Sequence, residues 1–200
     1  MKKRTMIFVT AMVLLFAIVT GSTFAYMTSK TGPVTNTFTY GNVSITLDEG
    51  KVGENNGLFT DKGVTRVSGN SYKVVPGNSY DKDPTVHVGA NSDKCYIFVN
   101  VINGFTAYEA DADGKDTVAE QMKANGWTNM SGNIWYKADA VTKGTDHVVF
   151  TKLHISDNLD NQKAEAAAQT SIVISAYAIQ AEGFDSATEA YTTAGAPQDW

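Results

Sequence analysis

The chain carries one cysteine and three histidines in 200 residues, and its 16 Lys and Arg are outnumbered by 21 Asp and Glu. Each shortage excludes something. With Cys95 alone, no disulfide can close within the chain, so the fold depends on packing. Cys95 follows Lys94 at the head of an apolar, strand-like run. It reads either as a buried thiol acting as a small hydrophobe or as a partner in an intermolecular disulfide. It does not open a helix, so no helix dipole lowers its pKa for catalysis. The formal charge of −5 disfavours nucleic acid and anionic lipid as partners. His87, His147 and His154 form no His-Glu-x-x-His pattern, in which two imidazoles one helical turn apart reach one zinc and the Glu activates its water. His147 and His154 fall on opposite faces of one expected strand. There is no Gly-x-Ser-x-Gly elbow and no phosphate-cradling glycine loop. On this inventory the chain is not an enzyme, and no catalytic or cofactor-binding residue is assigned.

One long apolar run is present, Met6 to Val19, preceded by Lys2-Lys3-Arg4 and followed by Thr23-Phe24-Ala25-Tyr26-Met27-Thr28. A basic start, an apolar middle of about fifteen residues and small residues before a junction predict a signal peptide over 1–25, cut after Ala25. The competing reading is an uncleaved anchor, but a span needs roughly 20 apolar residues, and Thr10, Thr20, Gly21 and Ser22 interrupt or end this run. No second such run follows, so membrane association is expected only through the uncleaved signal. Cleavage removes three basic residues and no acidic one, which takes the net charge from −5 to 13 − 21 = −8.

The remainder alternates like strands. In Thr37 to Leu47, Phe38 and Tyr40 share one parity while Val43, Ile45 and Leu47 share the other, so a bulge or bend is expected at Gly41-Asn42. Val64 to Val67 and Tyr72 to Val75 flank Ser68-Gly69-Asn70-Ser71 and predict a hairpin. Thr85 to Val88 follows Pro84, whose missing donor suits a strand's first position. Cys95 to Ile102 is apolar on both parities, the pattern of a central strand covered on both sides. Ile134 to Lys137, His147 to Leu153 and Ser171 to Gln180 complete roughly eight strands. Helical signals are few: the capping box Thr117-Val118-Ala119-Glu120 with Gly126 as its stop, the alanine-rich Gln162 to Gln169, and Ser186 to Tyr191. Strands that do not alternate with helices predict a mainly β fold, an antiparallel β-sandwich of jelly-roll type with a few short helices. The expected organisation is an extended N-terminal segment at 26–36 and a single domain at 37–200.

One metal pattern needs weighing. Glu109, Asp111, Asp113 and Glu120, with Gly114, fall at calcium-loop spacing. Glu replaces Asp at the first position, and Asp116 stands where an apolar residue normally packs. The alternative is a solvated acidic turn leading into the helix at Thr117, where negative charge suits the helix start.

Several strings belong together: Thr23-Phe24-Ala25-Tyr26-Met27-Thr28, Asn36-Thr37-Phe38-Thr39-Tyr40-Gly41-Asn42-Val43, Val75-Pro76-Gly77, Lys82-Asp83-Pro84-Thr85-Val86, and Ala176-Tyr177-Ala178-Ile179-Gln180-Ala181-Glu182-Gly183-Phe184. In order and spacing they resemble the TasA/camelysin family of Gram-positive bacteria, secreted biofilm-matrix proteins with a SipW-type signal peptide. The resemblance is weakest over residues 103–170. It implies a jelly-roll domain, secretion to the extracellular matrix or cell surface, and self-assembly into homopolymers and with other matrix proteins after signal-peptidase processing. It also implies donor-strand exchange, in which an extended segment of one subunit adds a strand to the next; Tyr26 to Thr39 fits that role, with Phe38 and Tyr40 to plug a groove. Two alternatives stand beside it. Camelysin-like members have been described as metallopeptidases, which suggests a secreted hydrolase. A monomeric surface adhesin would instead bind through the loops Gly53 to Asp61 and Ala107 to Asp116.

Overall fold

The computed structural model describes residues 28–31, 38–39, 42–53, 65–109 and 114–197. The expected signal peptide and its junction lie outside them. So do Asp111, Asp113 and most of the 53–61 loop. The strands are β1 (Thr28–Thr31), β2 (Phe38–Thr39), β3 (Ile45–Gly50), β4 (Arg66–Val67), β5 (Ser79–Asp81), β6 (Thr85–Val88), β7 (Cys95–Asn103), β8 (Trp127–Ser131), β9 (Ile134–Lys137), β10 (Asp146–Val148), β11 (Lys152–His154) and β12 (Ile172–Gln180). The helices are α1 (Val118–Ala124), α2 (Asn161–Ala167) and α3 (Ala187–Ala194).

Among the described residues the fold is mainly β, with three antiparallel sheets. The largest runs β2-β1-β12-β7-β9-β8, the second β10-β6-β3-β4, and the third is the pair β11-β5. β7 and β12 form the spine, paired along nine residues from Ile172 opposite Asn103 to Gln180 opposite Cys95. Their alternation explains their position. Cys95, Ile97, Val99 and Val101 of β7, with Ile174, Ala176 and Ala178 of β12, share one core with Ile45 and Leu47 of β3 and Val86 and Val88 of β6. The large and second sheets therefore enclose a common apolar layer. The opposite parity of the spine, Tyr96, Phe98, Tyr177 and Ile179, is sealed by Ala187 and Ala190 of α3. There Phe98 lies 5.1 Å, centroid to centroid, from Tyr191. The two-sided burial expected for Cys95 to Ile102 holds except at its end, where Ile102 is 48% exposed.

Gly41, where a bulge or bend is expected, lies outside the described residues; β2 belongs to the large sheet and β3 to the second, so the chain passes from one sheet to the other between them. Two expectations are corrected. Among the described residues no hairpin joins 65–67 to 72–75: β4 pairs with β3, and the Tyr80 hydroxyl accepts from Val75 N at 2.6 Å and donates to Lys73 O at 2.8 Å. A side chain thereby satisfies backbone groups that a ladder would otherwise use. His147 to Leu153 is two strands in different sheets, β10 and β11. Its break falls at Val149 and Phe150, both fully buried; consecutive residues cannot both face inward from a regular strand.

The helix signals perform as their chemistry requires. Thr117 and Glu120 close the capping box, and Gly126 stops α1 with φ +77°. Buried Gln121 fastens that helix to the turn after β10, its Oε1 accepting from Thr151 N and Lys152 N and its Nε2 donating to Lys152 O. β5 and β8, which carry weak alternation, are additions to the expected strands.

Candidate functional site

The most concentrated polar chemistry lies where β3 ends. Ile45 and Leu47 face the core, so Thr46 and Asp48 point away from it, but after Leu47 the alternation lapses and both Glu49 and Gly50 are buried. Two hydrogen-bonded clusters result, one on each side of the strand.

Arg66 organises the first. Its Nε contacts Asp48 Oδ1 and its Nη1 contacts Asp83 Oδ2, both at 2.6 Å. Its Nη2 also donates to the carbonyls of Asp48 and Asp83 at 3.0 and 3.2 Å. The planar fork suits this many acceptors in one plane. Asp83 Oδ1 further accepts from Gly50 N at 2.6 Å. His87 on β6 extends the cluster to β10, with Nε2 at 2.9 Å from Asp48 and Nδ1 at 2.6 Å from Asp146. Both ring nitrogens face carboxylate oxygens, an arrangement satisfied when both carry protons. Burial works to lower the His87 pKa, but the hydrogen bonds and charges of Asp146 and Asp48 outweigh it and hold the imidazole above its ordinary value.

Glu49 organises the second. It is 4% exposed, yet both oxygens are used: Oε2 accepts from Lys82 Nζ at 2.5 Å and Oε1 from Asn70 Nδ2 at 2.9 Å. Asn70 Oδ1 accepts in turn from Val52 N at 3.0 Å. Lys82 Nζ stands 5.6 Å from the Tyr72 ring centre. Burial, then the Glu49 charge, pushes the Tyr72 phenol upward. Asn70 and Lys82 line two neighbouring cavities, of about 140 Å³ against Leu47, Ile172 and Ile174 and about 250 Å³ against Tyr72, Tyr80 and Phe105.

The other singled-out residues lie elsewhere. Cys95 is fully buried, and burial pushes its thiol up to about 11, which favours the packed thiol over an intermolecular link. The histidines are not brought together. His147 Nε2 meets Thr145 Oγ1 at 2.8 Å, and His154 Nδ1 meets Ser79 Oγ at 2.6 Å. Burial lowers both pKa values, aided by Lys137 at His147 and by Lys115 and Lys152 at His154. Among the described residues, no group of three His, Cys, Asp or Glu could hold a metal ion. Glu109 and Glu120 of the calcium pattern are engaged at the start of α1, Glu109 Oε2 accepting from Val118 N and Glu120 Oε2 from Thr117 N. The other two residues of that pattern, Asp111 and Asp113, lie outside the described residues.

At the N-terminus, β1 pairs antiparallel with β12, Thr28 opposite Ile179 through Thr31 opposite Ala176, and β2 turns back onto β1. Among the described residues no strand pairs with Ile172–Ser175 on that side of β12. Comparison of the chain with family models, with curated proteins and with solved structures gives no match.

Arg66, Asn70, Lys82 and Glu49 went unassigned in the sequence. A signal was present: Asp48-Glu49 and Asp81-Lys82-Asp83 are charge runs abutting apolar strand residues, where a purely solvated face is an uneconomical explanation.

Proposed function

We propose that the chain is a secreted structural protein of the extracellular matrix or cell surface, a sandwich of jelly-roll type that assembles into fibres by N-terminal strand donation. The observation that carries this reading is the attachment of β1. It is the first described strand and joins the sheet through four residue pairs with β12. Those pairs are made by backbone groups, so the same segment of a second molecule satisfies them equally. Exchange of that strand between molecules is a head-to-tail contact, which does not close and so extends a filament. Cleavage after Ala25 would release the segment at Tyr26, making signal-peptidase processing the step that permits assembly. The resemblance to the TasA/camelysin family supports the same role and adds other matrix proteins as partners.

Deleting residues 26–36 and imaging the secreted product by electron microscopy tests this reading. Loss of fibres with a folded domain is expected; undiminished fibres would rule out strand donation. Mass spectrometry of the secreted N-terminus should find Tyr26 first.

A further inference from the structure

Glu49 does more than neutralise a lysine. Its two oxygens hold two different nitrogens, the amine of Lys82 at 2.5 Å and the side-chain amide of Asn70 at 2.9 Å. A nucleophile and a potential leaving group thus sit on the two arms of one carboxylate. The Asn70 carbonyl oxygen, where charge would develop if its carbon were attacked, already accepts from Val52 N at 3.0 Å. A backbone donor at that oxygen is the element that stabilises a tetrahedral intermediate. The Lys82 and Glu49 side chains are only 12% and 6% exposed, and the Tyr72 ring flanks the amine. As an ion pair alone this arrangement is poorly rewarded, because the desolvation of two charges offsets their attraction.

We propose that Lys82, Asn70 and Glu49 are a self-processing site that joins Lys82 Nζ to Asn70 Cγ in an amide bond. Glu49 takes a proton from the Lys82 ammonium, leaving a neutral amine. The amine lone pair attacks Asn70 Cγ, and the carbonyl electrons move onto Oδ1 against the Val52 N–H. Glu49 then returns a proton to Nδ2, the Cγ–Nδ2 bond breaks, and ammonia departs as the carbonyl re-forms. The remaining proton on the new linkage passes through Glu49 to the ammonia, giving ammonium. One C–N bond forms and one breaks, with no oxidant, reductant or second substrate. Glu49 holds the amine and the amide on one carboxylate, the kind of positioning by which an amine comes to attack an otherwise inert amide. The product ties the segment after β4 to the segment after β5, giving a chain with a single cysteine the covalent brace that a disulfide cannot provide.

This site does not depend on strand donation, and its test is separate. The secreted full chain is digested with trypsin and its peptides sequenced by mass spectrometry. The expected product is a branched pair, residues 67–73 joined to residues 74–94 through Asn70 and Lys82, with a mass about 17 Da, that of one ammonia, below the sum of the two separate peptides. Lys82→Arg and Glu49→Gln should each restore unbranched peptides of full mass. Recovery of unbranched 67–73 and an intact Asn70 from the wild-type chain overturns the proposal. So does a loss of about 17 Da that persists in Lys82→Arg, since that marks cyclisation of Asn70 onto its own backbone rather than attack by the lysine.

Discussion

The spine of the large sheet and the polar corner at the end of β3 are stabilised by different means. β7 and β12 bury aromatic and aliphatic side chains on both faces, with Phe98 at 0% exposure between Tyr177 and Tyr191. That stabilisation is proportional to area and tolerant of exact geometry. The corner holds Arg66, His87, Lys82 and four carboxylates in directional contacts of 2.5–2.9 Å. There, removing one member strands the others, so the cost depends on what is left unpaired. The spine makes the fold; the corner fixes how the second sheet meets the segments beside it.

The difference can be broken at its strongest point first. Phe98→Ala should cost about 3–5 kcal/mol by cavity formation, the largest single loss, seen as a lowered midpoint in denaturant unfolding. Arg66→Ala leaves Asp48 and Asp83 facing each other and should cost about 2 kcal/mol, discounted for partial exposure. Its signature is a dependence on ionic strength that Phe98→Ala lacks. Thr117→Ala removes one half of the capping box and should cost about 1 kcal/mol, confined to α1 and visible as faster hydrogen exchange there.

The pH response sharpens the contrast further. Because the folded His87 pKa is raised, its contribution is fully present below the unfolded value of about 6.5 and is lost as pH rises through the folded value. His147 and His154 are lowered, so they act in the opposite direction, favouring the fold above about 6.5 and weakening it as pH falls. Comparing the thermal midpoint of wild type and His87→Gln from pH 5 to 9 isolates the first effect. The stability advantage of the wild type should shrink as pH rises; an advantage independent of pH would contradict the charged bridge.

How much was legible follows the same division. Periodicity located β6, β7, β9 and β12, because each repeats apolar residues at the spacing its sheet demands. The capping box located α1, because its chemistry is local. Periodicity could not tell that β2 and β3 lie in different sheets, since a crossing and a bulge change parity alike. Nor could it foresee Tyr80 bonding to Lys73 and Val75 in place of a hairpin ladder. The Glu49 cluster was hidden for a related reason: Glu49, Asn70 and Lys82 come from three separate segments, and no short motif records their meeting. Cys95 was readable as a packed thiol from its place in an apolar run.

Strand donation is tested most directly at the β1–β12 pairing, where Ser29 stands opposite Ala178. Ser29→Cys and Ala178→Cys are made as separate proteins, mixed as monomers, allowed to assemble and oxidised. Cys95 stays out of the reaction because its cross-strand neighbours are Gln180 and Val141, so neither introduced cysteine faces it. Strand donation predicts covalent dimers linking position 29 of one molecule to position 178 of another, running at twice the monomer mass without reductant. Fibres that form without any such dimer would contradict it.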